Sequence, residues 1–220
     1  WENGAVGYYL RDAGMPLDNM SNTTQIFLGT QMVCAQCHNH PFDRWTQMEY
    51  YQMASYTYGI TSSQGGEIQS KIKKYFNDKT KGLSYKDKKK KMQSKEAQAL
   101  RRSVQEMLRP LRYGATHTNR KLSLPHDYQY EDGKPKSVVT PSPIFDNAIS
   151  ETDGIPKVHA YGEWLTSVDN PRFTKVIVNR MWKKVFGRGL VEPADDWRDD
   201  TVASIPELMD HLESLMVRVN

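Results

Sequence analysis

Apolar positions along this chain recur mostly at helical spacing. Ile26, Phe27, Thr30 and Val33 fall on one side of a short helix predicted to begin near Asn22-Thr23, two good N-caps. After the turn His40-Pro41-Phe42-Asp43, the spacing of Trp45, Met48, Tyr51, Met53 and Tyr56 predicts a second helix, stopped by Gly59. Thr61 to Gly66 reads as a polar linker. From Glu67 to Arg109 strong helix formers dominate, with a break near Gly82 and an end at Pro110. The pattern then changes. Pro125, Pro135, Pro141, Pro143 and Pro156, with Gly114, Gly133 and Gly154, exclude long helices between Tyr113 and Pro156. That stretch reads as an extended excursion over the helical body. Asn170-Pro171 opens a further helix with Phe173, Val176, Ile177, Met181 and Val185 on one face, closed by Gly187. Ser204-Ile205-Pro206-Glu207 opens the last, carrying Leu208, Leu212 and Leu215. The expected fold is therefore mainly α, without internal repeats.

Four regions follow from this pattern: 1–60, the region that carries the motif Cys34-Ala35-Gln36-Cys37-His38; 61–112, a basic helical insert; 113–156, the irregular wrapping segment; and 157–220, a helical C-terminal domain expected to be incomplete. A length of 220 residues suits one large domain or two small ones. Aromatic bulk is sufficient for a packed core, which excludes collagenous and disordered classes. No run approaches the ~18 apolar residues of a membrane span, so the chain is not expected to be transmembrane itself. It opens on Trp1 and closes directly after a helical pattern, which reads as a partial or processed chain.

Charge is unevenly placed. The formal net charge is +4, yet Lys71 to Arg112 alone holds 11 Lys and 4 Arg against Asp78, Asp87, Glu96 and Glu106, an excess of +11. The rest of the chain, with 15 basic and 22 acidic residues, stands at −7. Such a segment is either a solvated Lys-rich face or a docking surface for an anionic partner. No nucleic-acid motif accompanies it, so nucleic acid is not expected as a partner.

The chemistry-bearing residues are compact. The only two cysteines stand three apart and are followed at once by histidine, Cys34-Ala35-Gln36-Cys37-His38. This is the attachment pattern of c-type haem: two thiols on one tight turn add to the two vinyl groups of a porphyrin, and the next imidazole ligates the iron. A zinc site built from Cys34, Cys37, His38 or His40 with a distant ligand, and a redox disulfide, remain open beside it. His40 is too near in sequence to reach the opposite face of a porphyrin. For the second axial position His126, in Leu124-Pro125-His126-Asp127-Tyr128, is the first candidate, ahead of His117, His159, His211 and the ten methionines. Arg180 and Arg188 read either as propionate partners or as structural bridges, with Asn179 capping and Trp182 in the core. Asp195-Asp196 and Asp199-Asp200 lack calcium-loop spacing. No Ser-His-Asp order, phosphate loop or His-Glu-x-x-His motif is present.

Phe27-Leu28-Gly29, the run Cys34-Ala35-Gln36-Cys37-His38-Asn39-His40-Pro41-Phe42-Asp43 and Tyr50-Tyr51 resemble the second planctomycete cytochrome-c-type domain. Leu124-Pro125-His126-Asp127-Tyr128-Gln129-Tyr130 through Lys134-Pro135 resembles the connecting region of the same proteins. Asn170-Pro171-Arg172-Phe173, Val178-Asn179-Arg180-Met181-Trp182, Phe186-Gly187-Arg188-Gly189-Leu190-Val191-Glu192 and Asp195-Asp196 are similar to the planctomycete domain that follows it. The resemblance covers roughly 22–60 and 120–217, with a variable basic insert between. It implies a large, exported, multi-domain protein and one covalent haem c on Cys34, Cys37 and His38; it supplies no distal ligand, and His126 is a candidate from its position in the sequence alone. The expected function is extracytoplasmic, periplasmic-type electron transfer, with an acidic redox partner and a multi-protein or multi-haem assembly. An oxidoreductase or carbohydrate-directed enzyme module, and a structural module with a metal-bound Cys-x-x-Cys-His, stand as alternatives.

Overall fold

The computed structural model describes residues 5–61, 66–109, 115–145 and 156–219 and is mainly helical. The predicted stretches 113–114 and 146–155 of the irregular segment lie outside the described residues. The chain divides into two compact units, 1–14 with 60–118, and 15–59 with 119–220.

In the first unit, α1 (Ala5–Arg11) ends on an Arg11–Asp12 ion pair of 2.8 Å. The strands Ile60–Thr61 and Thr116–His117 pair antiparallel. Between them run α4 (Gly66–Lys79), α5 (Tyr85–Met92) and α6 (Lys95–Leu108). The sequence predicted one break near Gly82; there are two. Gly82 takes the left-handed conformation (φ +80°) after α4, and Ser84 caps α5 by accepting the Asp87 N–H. Ser94 does the same for α6 through the Ala97 N–H. A serine directly before a helix-compatible run offers its hydroxyl to the orphan N–H three residues on, which starts a new helix there.

The second unit carries the core. Its helices are α2 (Pro16–Leu28), α3 (Gln47–Thr57), α7 (Lys157–Thr166), α8 (Phe173–Phe186) and α9 (Pro206–Val219). Helix α2 begins two turns before the expected Asn22-Thr23 because Pro16 starts it. It stops before Thr30 and Val33, since Gly29 turns left-handed (φ +63°). Met20, Leu28, Met32, Trp45, Tyr50 and Met53 are fully or almost fully buried with Tyr161 and Trp164 of α7. The stretch 122–139 folds back on itself, with Val139 N–H donating to the Leu122 carbonyl and Leu124 N–H to that of Ser137, both at 2.9 Å. It lays Leu122, Leu124, Tyr128 and Val139 into that same core.

Around α8 and α9 the expected apolar faces are rotated. Val176 is buried, but Met181 and Val185 of the predicted stripe are exposed, while Val178 and Asn179 turn inward. In α9 Met209, Leu208, Leu212 and Met216 face the core and Leu215 does not. The cause is a polar anchor. The Asn179 carboxamide is 0% exposed and pairs with both backbone groups of Val191, donating to its carbonyl and accepting its N–H, each at 2.9 Å. Burying that amide fixes the helix's rotation, because a lone buried amide costs more than a displaced methyl gains. Asn170 Oδ1 accepts from the N–H groups of Arg172 and Phe173 just ahead of α8, which starts at Phe173, two residues after the predicted Pro171.

Three measurements test this frame. Asn179→Ala leaves both Val191 groups buried and unpaired and should lower stability by about 2–4 kcal/mol, read from the urea midpoint. Gly29→Ala places a Cβ 2.5 Å from Trp197 Cδ1 at positive φ, and should cost about 2–5 kcal/mol in the same assay. The Glu192 carboxylate is held below the ordinary range by Lys183, at 2.7 Å, and by the Gly189 N–H. Its stabilisation is therefore full above the unfolded glutamate value and lost as pH falls through the depressed folded one. Wild type and Glu192→Gln should differ near neutral pH, with the difference shrinking once pH falls below the ordinary glutamate value of about 4.3 and vanishing below the depressed folded one.

Candidate functional site: the Cys-x-x-Cys-His turn

The end of α2 creates the site. After Gly29, Met32 and Ala35 are driven to 0% exposure, so the chain between and beyond them has to turn outward. It does so as one 3-10 turn, Val33–Gln36, closed by Ala35 N–H to Met32 C=O (2.8 Å) and Cys37 N–H to Cys34 C=O (3.3 Å). Residues three apart eclipse in such a turn, which sets the Cys34 and Cys37 side chains on one side. Both are exposed free thiols. His38 follows, exposed, with Nδ1 2.7 Å from the Asn39 carbonyl oxygen. A carbonyl only accepts, so Nδ1 carries the proton and the lone pair sits on Nε2.

The turn is bolted to the start of α3. Thr46 and Glu49 form a reciprocal capping box. Gln47, 3% exposed, donates its backbone N–H to Asn39 Oδ1 (2.9 Å) and its side-chain amide to the Gln36 carbonyl (3.0 Å). The Tyr50 hydroxyl lies 2.9 Å from the Leu17 carbonyl and 3.2 Å from Gln36 Oε1, and burial raises its pKa, so it stays a donor. Across 91 residues of sequence, Tyr130 Oη accepts the Asn39 N–H at 2.7 Å. His40 N–H reaches the Trp45 carbonyl (2.8 Å), and Asp43 receives the Trp45 indole N–H (3.1 Å).

The predicted residues fall out as follows. Cys34, Cys37 and His38 occupy one outward turn. His126 is 80% exposed with Nδ1 3.8 Å from Asp127. Its loop borders the site through Tyr51, whose pKa is raised first by burial and then by Cys37 and Asp127. His117, His159 and His211 are exposed on other elements. Met20, Met32, Met53 and Met209 are core filler. Among the described residues no group of three or more His, Cys, Asp or Glu is placed to hold a metal ion, so the zinc alternative finds no convergent donor set there. Two unpaired thiols and an imidazole with an open Nε2 do fit covalent haem. In sequence the exposed apolar side chains Val33 (53%) and Phe42 (77%) stand on either side of the motif.

Arg180 donates to the Gln25 carbonyl (3.2 Å) and bridges α8 to α2. Asp195 accepts from Gln25 (3.0 Å), Asp196 pairs with Arg198 (3.4 Å), and Asp199 pairs with Arg44 (3.2 Å) and Arg172 (3.5 Å). Asp196 and Asp199 stand in ion pairs, and Asp195 is held by a neutral amide. Burial lowers the Arg172 pKa, with Asp199 opposing, and the Arg44 guanidinium lies 4.3 Å over the Trp45 ring. A polar groove of about 350 Å³ runs between Arg188–Glu192 and Asp196–Ser204. Sequence reading missed Asn39, Gln47 and Tyr130. Only the Asn39 position, next to the motif, carried any signal.

Residues 10–61 match PSCyt2, a protein family of unknown function (DUF1549) named as planctomycete cytochrome C domain 2. Residues 159–220 match PSD1, a second family of unknown function (DUF1553). The chain carries the two in that N- to C-terminal order, as the motif resemblance implies. No curated protein and no solved structure matches it. No helix among the described residues is long and apolar enough to cross a membrane.

Asn39 holds more of the turn than Tyr130 does. Asn39→Ala should cost about 1–3 kcal/mol and Tyr130→Phe about 1 kcal/mol in urea unfolding, because the first strands a half-buried helix N–H and the second only an exposed one.

Proposed function

We propose that this chain is a c-type haem protein segment acting in extracytoplasmic electron transfer within a larger assembly. One observation carries the reading: two free, exposed thiols on a single tight turn, followed by an imidazole whose Nδ1 is already committed to the Asn39 carbonyl. Cys34 and Cys37 would hold the porphyrin covalently and His38 Nε2 would ligate the iron. The group supplies one-electron exchange when bound.

The protein's own contribution is rigidity. Asn39, Gln47 and the buried Tyr50 fix the turn, so little reorganisation accompanies a change of charge beside it. Val33 and Phe42 offer apolar surface for the porphyrin to cover, worth about 1.5–3 kcal/mol for each side chain fully buried. His126 is the proposed second axial ligand; its loop reaches the turn through Tyr130, and Asp127 stands beside the imidazole to orient it. Covalent attachment is normally made outside the inner membrane, which supports an exported, periplasmic-type location. A redox protein, acidic where it docks, is the partner this reading requires.

Expression in a host competent for cytochrome c maturation should give red protein whose haem survives acid-acetone extraction and yields a pyridine haemochrome spectrum. Colourless protein overturns the proposal. Cys34→Ala with Cys37→Ala should abolish covalent haem. His126→Ala should turn a low-spin iron high-spin and open it to carbon monoxide; an unchanged low-spin spectrum removes His126 from the coordination sphere.

A further inference from the structure

Helices α4 to α6 form an arm of a particular kind. From residue 70 to 107 no apolar side chain reaches the buried class; Thr80 alone does. The helices are held by local devices: the Ser84 and Ser94 caps, Lys91 Nζ on the Lys79 carbonyl (3.1 Å), and the Arg101 guanidinium 5.5 Å over the Phe76 ring. Large apolar groups are left outside, with Tyr85 84%, Met107 79%, Tyr75 50%, Leu83 41% and Leu100 40% exposed. Around them the charge is one-sided. Helix α5 alone carries Lys86, Lys88, Lys89, Lys90 and Lys91 against Asp87. A merely solubilising arm has no reason to expose Tyr85 and Met107 among its lysines.

We infer that this arm docks the protein on an anionic lipid surface. Charge complementarity names the occupant. The excess is supplied mainly by lysine, 11 Lys to 4 Arg between Lys71 and Arg112. Lysine is depleted at specific protein interfaces, where arginine's planar fork is preferred. A headgroup layer asks only for point charges at no fixed geometry, each Lys or Arg near it contributing about 1 kcal/mol. Tyrosine, leucine and methionine dispersed among lysines suit the boundary between headgroups and acyl chains. The arm lies on the surface and does not span it. This inference is independent of the haem.

The test uses the full chain and sedimentation with two vesicle types: phosphatidylglycerol with phosphatidylcholine in equal parts, and phosphatidylcholine alone. Binding is expected on the anionic vesicles only, weakening by about tenfold or more between ~0.05 and ~0.5 M salt. Replacing Lys81, Lys86, Lys89 and Lys90 by Gln should weaken it at least about tenfold. Tyr85→Ser with Met107→Ser should weaken it about threefold or more while leaving the salt dependence in place. These side chains are exposed, so helical content by circular dichroism should be unchanged in both variants. No binding, equal binding to both vesicle types, or undiminished binding by the Gln variant overturns the inference. So does retention of polyglutamate, or of RNA, by a protein that ignores the vesicles, which would assign the arm to an acidic protein or a nucleic acid.

Discussion

The second unit depends on one close approach. At Gly29 the chain leaves α2 in the left-handed conformation, and the Trp197 indole lies where a side chain would stand. The Trp197 N–H donates to the Gly29 carbonyl at 2.7 Å, and Val176 of α8 packs on the same spot. Only glycine meets both demands, on φ and on space. The turn so made ends a helix, sends Met32 and Ala35 inward and Cys34 and Cys37 outward, and receives the C-terminal segment. Gln25 with Asp195, Arg180 with the Gln25 carbonyl and the stacked rings of Phe27 and Phe173 extend that seam. Within this unit the cytochrome-like and C-terminal segments share one packed body.

That seam explains where the rigidity of the motif comes from. A 3-10 turn of four residues has poor intrinsic stability. Here it is pinned from three directions: by buried Met32 and Ala35 below, by Gln47 and Tyr50 of α3 beside it, and by Tyr130 from the folded-back segment 122–139. Two of the three pins are polar groups, each with its partner, which is the condition under which a buried network specifies one geometry.

The helices and the motif were legible because local signals and tertiary demand coincide in them. Gly187 closes α8 in the left-handed conformation, as its place after the periodic run predicts. Cys34, Cys37 and His38 declare themselves by adjacency alone. The rotation of α8 was not legible. Met181 and Val185 look like core residues by periodicity, and the deciding residue was a buried asparagine, which hydrophobic spacing scores as polar. Gln47 and Tyr130 were invisible for the same reason: their roles are hydrogen bonds across the fold, with no trace in local pattern. Ser94 was legible in principle, since Ser-x-x-Ala before a helical run is a capping position, but strong helix formers on both sides masked it.

The exposure pattern around the motif carries the remaining argument. Met32 and Ala35 are wholly buried, while their neighbours Val33 and Phe42 are left in water. A turn selected only for stability would place polar residues at those outer positions, as the same chain does at Gln36 and Asn39. Apolar side chains kept outward beside two unpaired thiols and an open imidazole nitrogen make a surface that is incomplete alone. The proposed porphyrin would bond both thiols and take the imidazole nitrogen at once. A zinc ion would need three or more converging donors, which the described residues do not provide, and a disulfide leaves the imidazole without a role. On the proposed reading a porphyrin would engage both thiols and the imidazole together, which a disulfide would not.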